Sequence, residues 1–318
     1  MNVGLLGYSG SGKTSLVAFL SGKRHESFDP LKPSVVTVKI SDSRLKVLAE
    51  MAEAQKITES EINFIDIKGS PESVGFDEKI IEIALQSDVI AFVIGAFSEQ
   101  KNPCDELDSL YLEMIFRDDE RLKNIMEKRQ QEILQGKRNK NEQEELLRKY
   151  KTFLEQERFL FSMNLDEKER VFLASLGMIT IKRIFVIANG ARMKKQIEEK
   201  CKNYNLELCQ IDVENHSTEA VEEFWSQFLK AAGLLRFYTV GRKETKAWLL
   251  PEGATLLDAA AAIHTDIAKG FVRADVVSYE DFISAGSLSV CREKGLLRSE
   301  GKTGLAKDGD IVHIHSTI

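Results

Sequence analysis

Gly7-Tyr8-Ser9-Gly10-Ser11-Gly12-Lys13-Thr14-Ser15 carries the complete Gly-x4-Gly-Lys-Thr spacing of a phosphate-binding loop. Gly7, Gly10 and Gly12 let the backbone wrap, with Ser11 between them, so that successive N–H groups point inward at an anion. The helix that opens at Lys13, Thr14 and Ser15 adds its unpaired amides and its dipole. Lys13 is placed to reach the β- and γ-phosphates of a nucleotide and to neutralise their charge. The Thr14 hydroxyl is placed to ligate Mg²⁺ bridging those phosphates. The flanks agree with this reading. Residues 2–6 read as a short buried strand, and Leu16, Val17, Phe19 and Leu20 recur at helical spacing.

Working outward, the apolar runs Ile62–Ile67, Val89–Gly95, Ile184–Ala188 and the shorter Leu206–Ile211 read as central strands. The helical patterns Glu78–Gln86, Lys194–Tyr204 and Ser217–Ala232 separate them. Such alternation predicts an α/β fold with a parallel sheet covered on both faces. Asp66 ends one strand and begins Asp66-Ile67-Lys68-Gly69. It is either a metal-holding carboxylate or a plain strand-end acid, and Gly69 is positioned to offer its N–H to a γ-phosphate. Asn189 opens Asn189-Gly190-Ala191-Arg192 after a later strand and is either a contact to a purine edge or a structural turn. No acid stands at 190–192 to select guanine, so ATP and GTP both remain open.

The 318 residues are 43% hydrophobic and 30% charged, enough for two or three cored domains, with a net charge of -6 that opposes general nucleic-acid binding. No run is long enough for a membrane span, and the N-terminus lacks a cationic signal region. Cys104, Cys201, Cys209 and Cys291 show no zinc or disulfide spacing and are read as reduced thiols of a cytoplasmic protein. Between Asp105 and Arg170, Leu107, Leu110, Met114, Leu122, Ile125 and Ile133 step by three or four, then Leu146, Leu147, Tyr150, Phe153 and Leu154 do so again. This predicts an antiparallel helical hairpin with Lys137, Arg138 and Lys140 at its tip, either a solvated turn or a contact for a polyanion. From about Arg236 short strand-like segments alternate with one helix, Thr255–His264, with Thr255 as N-cap and Asp258 at the capping-box position. The expected domains are 1–103 with 171–235 for the phosphate-binding part, 104–170 for the hairpin and 236–318 for a small α+β unit. His313 and His315 are expected on an edge strand, and Trp225 and Trp248 in cores.

Taken together, these residues resemble the YchF/Obg-like ATPase family of P-loop proteins. The most specific part is Phe237-Tyr238-Thr239-Val240-Gly241-Arg242-Lys243-Glu244-Thr245-Lys246-Ala247-Trp248, with Ile263–Ala274 and Tyr279–Phe282; it resembles that family's TGS domain, a β-grasp module. Asp42-Ser43-Arg44-Leu45 and Asp166–Asn189 resemble it too. The resemblance implies a P-loop NTPase sheet, an inserted coiled-coil arm and a C-terminal TGS domain, a preference for ATP, and association with ribosomes or rRNA. The chain departs from the family at four places, one being Glu72-Ser73-Val74-Gly75, which replaces a Gly-rich continuation of the switch. Pro30 stands at the Thr that reaches Mg²⁺, Ser70 and Pro71 follow Gly69 where a hydrophobic residue is usual, and Arg192 replaces the Glu of Asn-x-x-Glu.

Two functions follow as expectations. One is slow, Mg²⁺-dependent hydrolysis of a purine nucleotide that switches a ribosome-associated protein. The other is a nucleotide-binding adaptor with little turnover that docks through the arm and the TGS domain. Direct RNA binding through Arg242, Lys243, Lys246, Lys269 and Arg273 is a third class, weakened by as many nearby acids.

Overall fold

The computed structural model describes residues 1–22, 34–67, 75–135 and 142–317. Along the chain run β1 (Asn2–Leu6), α1 (Lys13–Ser21), β2 (Ser34–Lys39), α2 (Ser43–Met51), β3 (Ile57–Thr58), β4 (Glu61–Asp66), α3 (Glu78–Leu85) and β5 (Val89–Gly95). There follow α4 (Pro103–Leu134), α5 (Glu142–Leu154), α6 (Glu167–Ser175), β6 (Ile184–Asn189), α7 (Lys194–Asn203), β7 (Leu208–Ile211) and α8 (Thr218–Ala232). The chain ends with β8 (Leu234–Thr239), β9 (Thr245–Pro251), α9 (Leu256–Ile263), α10 (Thr265–Lys269), β10 (Phe271–Val277), α11 (Tyr279–Ala285), α12 (Leu288–Glu293), β11 (Arg298–Glu300) and β12 (Asp310–Ser316). It divides into two compact units, Met1–Thr37 with Asn63–His216, and Val38–Ile62 with Ser217–Ile318.

The first unit is built on a sheet of order β2-β4-β1-β5-β6-β7. β1 pairs in parallel with β4 and β5, β5 with β6, and β6 with β7. Every residue of β5 and β6 is buried, as expected of parallel strands covered on both faces. Helix α4 begins at Pro103 with Asn102 as N-cap, its side chain accepting from Cys104 N, and with Asp105 and Glu106 in the first turn. Its N-terminal half does not project. Leu107, Leu110, Tyr111 and Met114 join Phe92, Ile94 and Val186 in one core, which also takes in Leu122 and Leu147, Tyr150 and Leu154 of α5; Tyr111 packs on Phe159 in the segment after α5, ring centroids 4.2 Å apart. The residues from 104 to 170 therefore share a core with the sheet, because one continuous apolar stripe serves both partners. The hairpin tip with Lys137, Arg138 and Lys140 lies outside the described residues.

The second unit holds a mixed sheet of order β11-β10-β12-β8-β9-β3. β8 and β9 form an antiparallel pair, β12 runs parallel to β8, and β10 runs antiparallel to β12. Helix α9 opens with the expected reciprocal capping box between Thr255 and Asp258 and packs Leu256, Ala259 and Ala260 against Phe237 and Val276 on one face. The opposite face carries Tyr238, Val277 and Ile311 against Leu45 and Leu48 of α2 and Phe282 of α11. Residues 38–62 and α8 thus fold with the C-terminal strands, which the sequence did not indicate. Asp42 fixes that arrangement. It caps α2 at Arg44 N, accepts from the Tyr238 hydroxyl at 2.6 Å and lies 3.3 Å from Arg236 Nη1.

β12 lies between β10 and β8, but its register with β8 covers only Asp310 and Ile311. His313 and His315 lie beyond it, opposite Asp275 and Arg273 of β10; His313 is exposed, while His315 Nε2 lies 2.9 Å from Oδ2 of the buried Asp275. Trp225 is buried, and Trp248 is half-buried against its core, stacked on Phe237, with Lys246 Nζ 3.6 Å from its ring centroid. All four cysteines are buried free thiols.

Candidate functional site

The site grows from the C-terminal end of β1. Parallel pairing sets Leu5 beside Asp66, so the strand end that carries this carboxylate lies next to the start of the loop. Gly7 approaches its neighbours too closely for any side chain: a Cβ there would overlap Val93 O and Ser11 Oγ. Gly12 sits at φ 88°, the left-handed region, as the residue before α1. It provides no side chain to cap the helix, so the first-turn amides of Lys13, Thr14 and Ser15 are not claimed by a cap. Ser11 is buried, and its N–H donates to Tyr8 O at 3.2 Å, closing the turn. Ser9 and Gly10 form the exposed lip. The loop is therefore a rigid backbone cradle ending on a helix N-terminus, the geometry that binds an anion.

Lys13 is 6% exposed and folds over this cradle. Its Nζ donates to Gly7 O at 2.7 Å and to Tyr8 O at 3.1 Å, with Ser11 Oγ at 3.5 Å. Burial pulls its pKa down to about 8; the carboxylates of Asp66 and Glu106 oppose that, and Lys101 adds to it. The Thr14 hydroxyl donates to Asp66 Oδ2 at 2.8 Å, which brings together the two groups that the sequence reading assigns to a metal. One hydroxyl and one carboxylate are hard oxygen donors of the kind Mg²⁺ takes when phosphates and water complete its shell. The residues present therefore fit that ion.

Asn189 ends β6 and is buried. Its Oδ1 accepts from Val213 N at 3.4 Å, and its Nδ2 lies where a Cβ on Gly12 would stand. The residues after it are pinned as well, with Gly190 N donating to Ile211 O and Arg192 N to Ala96 O. The structure thus brings Gly7, Gly10, Ser11, Gly12, Lys13, Thr14, Ser15, Asp66 and Asn189 to one place. Gly69, with Pro30, Ser70, Pro71, Glu72, Ser73 and Val74, lies outside the described residues.

Three further side chains belong here that sequence reading missed. Glu106, in the first turn of α4, is 2% exposed, accepts from Gly95 N at 3.1 Å, and exerts its charge on Lys13. Phe97 keeps 45% exposure while its ring edge packs against Gly12 and Gly95, which gives the rim an aromatic face. Glu113 accepts from the Tyr8 hydroxyl at 3.1 Å and from Phe76 N at 2.7 Å, tying the loop to α4. An apolar step pattern finds the buried stripe of α4, but it gives no sign of which acid on that helix turns toward the loop.

A parallel sheet with this loop at the end of its central strand defines a P-loop NTPase architecture. Similarity narrows the class. The family model YchF-GTPase_C, described as "Protein of unknown function (DUF933)", matches residues 234–316. The chain is similar to a ribosome-binding ATPase YchF of Buchnera aphidicola, 29% identical over 355 residues, covering 98% of this chain and 97% of that protein. It is similar to the one of Bacillus subtilis, 26% identical over 364 residues and 100% of both. Among solved structures, the Schizosaccharomyces pombe YchF GTPase superposes with a TM-score of 0.77 at 20% identity, over 99% of this chain and 97% of that one. Residues 234–316 thus match the C-terminal family model of YchF, and over its whole length the chain is similar to YchF proteins.

Proposed function

We propose that this protein binds a purine nucleoside triphosphate, ATP or GTP, with Mg²⁺ and hydrolyses it slowly, acting in the cytoplasm as a ribosome-associated switch. The observation that carries this is the convergence of Lys13, Thr14 and Asp66 on a backbone cradle at the end of β1. The cradle amides and Lys13 would hold the β- and γ-phosphates and take up charge that develops during transfer. Thr14 and Asp66 would hold Mg²⁺, Asp66 through water; bound there, the ion supplies further charge neutralisation at the same phosphates. Phe97 offers a base an aromatic face, and Asn189 braces the wall behind Gly12. The partner assignment is supported by relatives named ribosome-binding ATPases.

A second reading, an adaptor with little turnover, is favoured by Arg192, which stands where the family has a carboxylate. One experiment separates the two. Calorimetric titration with ATP, GTP and their diphosphates, with and without Mg²⁺, identifies the ligand. Phosphate release is then followed for the wild type and Lys13→Ala. Release above the variant's background supports the hydrolase, and binding with release equal to it supports the adaptor. No binding of any nucleotide at millimolar concentration refutes both.

A further inference from the structure

Lys101 lies in the turn between β5 and α4 and belongs to none of the motifs read from the sequence. Its Nζ donates to Ser9 O at 3.1 Å, on the exposed lip of the phosphate-binding loop. The turn is not a loose one. Asn102 caps α4 through Cys104 N, Pro103 and Cys104 are buried, and Gln100 N donates to Ser98 Oγ. Phe97, in the same turn, packs on Gly12 and Gly95. The backbone that carries Lys101 is therefore fixed at both ends, by Phe97 against the loop on one side and by the cap of α4 on the other.

The electrostatics point the same way. Lys101 donates to Ser9 O while Lys13 donates to Gly7 O and Tyr8 O, so two ammonium groups converge on three consecutive residues of backbone. Like charges that converge raise each other's energy, and a polyanion bound at the loop relieves that repulsion. Lys13 approaches from the buried side, against Gly7 O and Tyr8 O, and Lys101 from the solvent side, against Ser9 O. A ligand cradled by the loop amides would meet a cation on each side. The solvent-side cation adds most for the ligand with the larger charge.

We propose that Lys101 is a second phosphate-directed cation of this site and that it biases the site toward triphosphate over diphosphate. The inference rests on the reading of the loop as a nucleotide site. It is tested by calorimetric titration of Mg²⁺-triphosphate and Mg²⁺-diphosphate into wild type, Lys101→Met, Lys101→Arg and Lys13→Ala, at low and high salt. Lys101→Met is expected to weaken triphosphate binding by about fivefold at low salt, the scale of a solvent-exposed ion pair. Diphosphate binding should weaken less, the loss should shrink at high salt, and Lys101→Arg should retain most of the affinity. Unchanged triphosphate affinity in Lys101→Met overturns the proposal. An equal, salt-independent loss for both ligands also overturns it, because that marks a structural strap on Ser9. If Lys13→Ala loses binding while Lys101→Met does not, the proposal alone fails. If Lys13→Ala binds as tightly as the wild type, the reading of the site fails and takes the proposal with it.

Discussion

Removing the charge of Lys13 should change how the stability of the nucleotide-free protein depends on pH. The ammonium is 6% exposed, and burial draws its pKa from 10.5 to about 8. In the unfolded chain the side chain keeps its ordinary value. Below pH 8 both states carry the proton, and the folded state bears the full cost of a buried charge. Between about pH 8 and 10.5 the folded state releases the proton while the unfolded state keeps it. The unfolded state then binds more protons, so stability rises with pH across that window. At about 1.36 kcal/mol per pH unit, the drop from 10.5 to about 8 amounts to about 3 kcal/mol. The assay is urea unfolding of wild type and Lys13→Met without nucleotide, from neutral pH to about pH 10. Subtracting the variant cancels the other titrating lysines and tyrosines. The stability of the wild type relative to the variant should be flat below about pH 8 and climb by about 2–3 kcal/mol above it. A difference that stays flat, or falls, refutes the argument.

Three further outcomes are expected. Asp66→Asn should abolish most of the gain in nucleotide affinity that Mg²⁺ confers, read by calorimetry with and without the ion, while the Mg²⁺-free affinity changes little; the carboxylate oxygen that Thr14 reaches at 2.8 Å is the group removed. Asp118→Ala should destabilise the fold by about 2–4 kcal/mol in urea unfolding, because it strands buried donors. The Asp118 carboxylate is 2% exposed and accepts from Ile179 N, Thr180 N and Thr180 Oγ1. Asp42→Ala should cost about 2–3 kcal/mol and speed amide exchange in α2 and β8, since one buried carboxylate caps α2, accepts from Tyr238 and faces Arg236.

What the sequence determined by itself was local in origin. The glycine spacing, Lys13 and Thr14 specify a backbone cradle because loop conformation and helix start are decided within a few residues. The all-buried strands β5 and β6 announce a covered parallel sheet by their uninterrupted apolar runs, and Thr255 with Asp258 announces the start of α9 by a four-residue reciprocal cap. Other features were decided only when distant segments met. β3 has two residues, too few for any periodicity, and becomes a strand through its pairing with Thr245 and Lys246 of β9. The start of β12 is interior because β8 and β10 arrive on either side of it. Glu106 reaches Gly95 N, and Lys101 reaches Ser9 O, only because α4 starts where the turn after β5 leaves it. Charged side chains look alike along a helix pattern, and it is helix phase and strand register, fixed by packing, that aim two of them at the phosphate-binding loop.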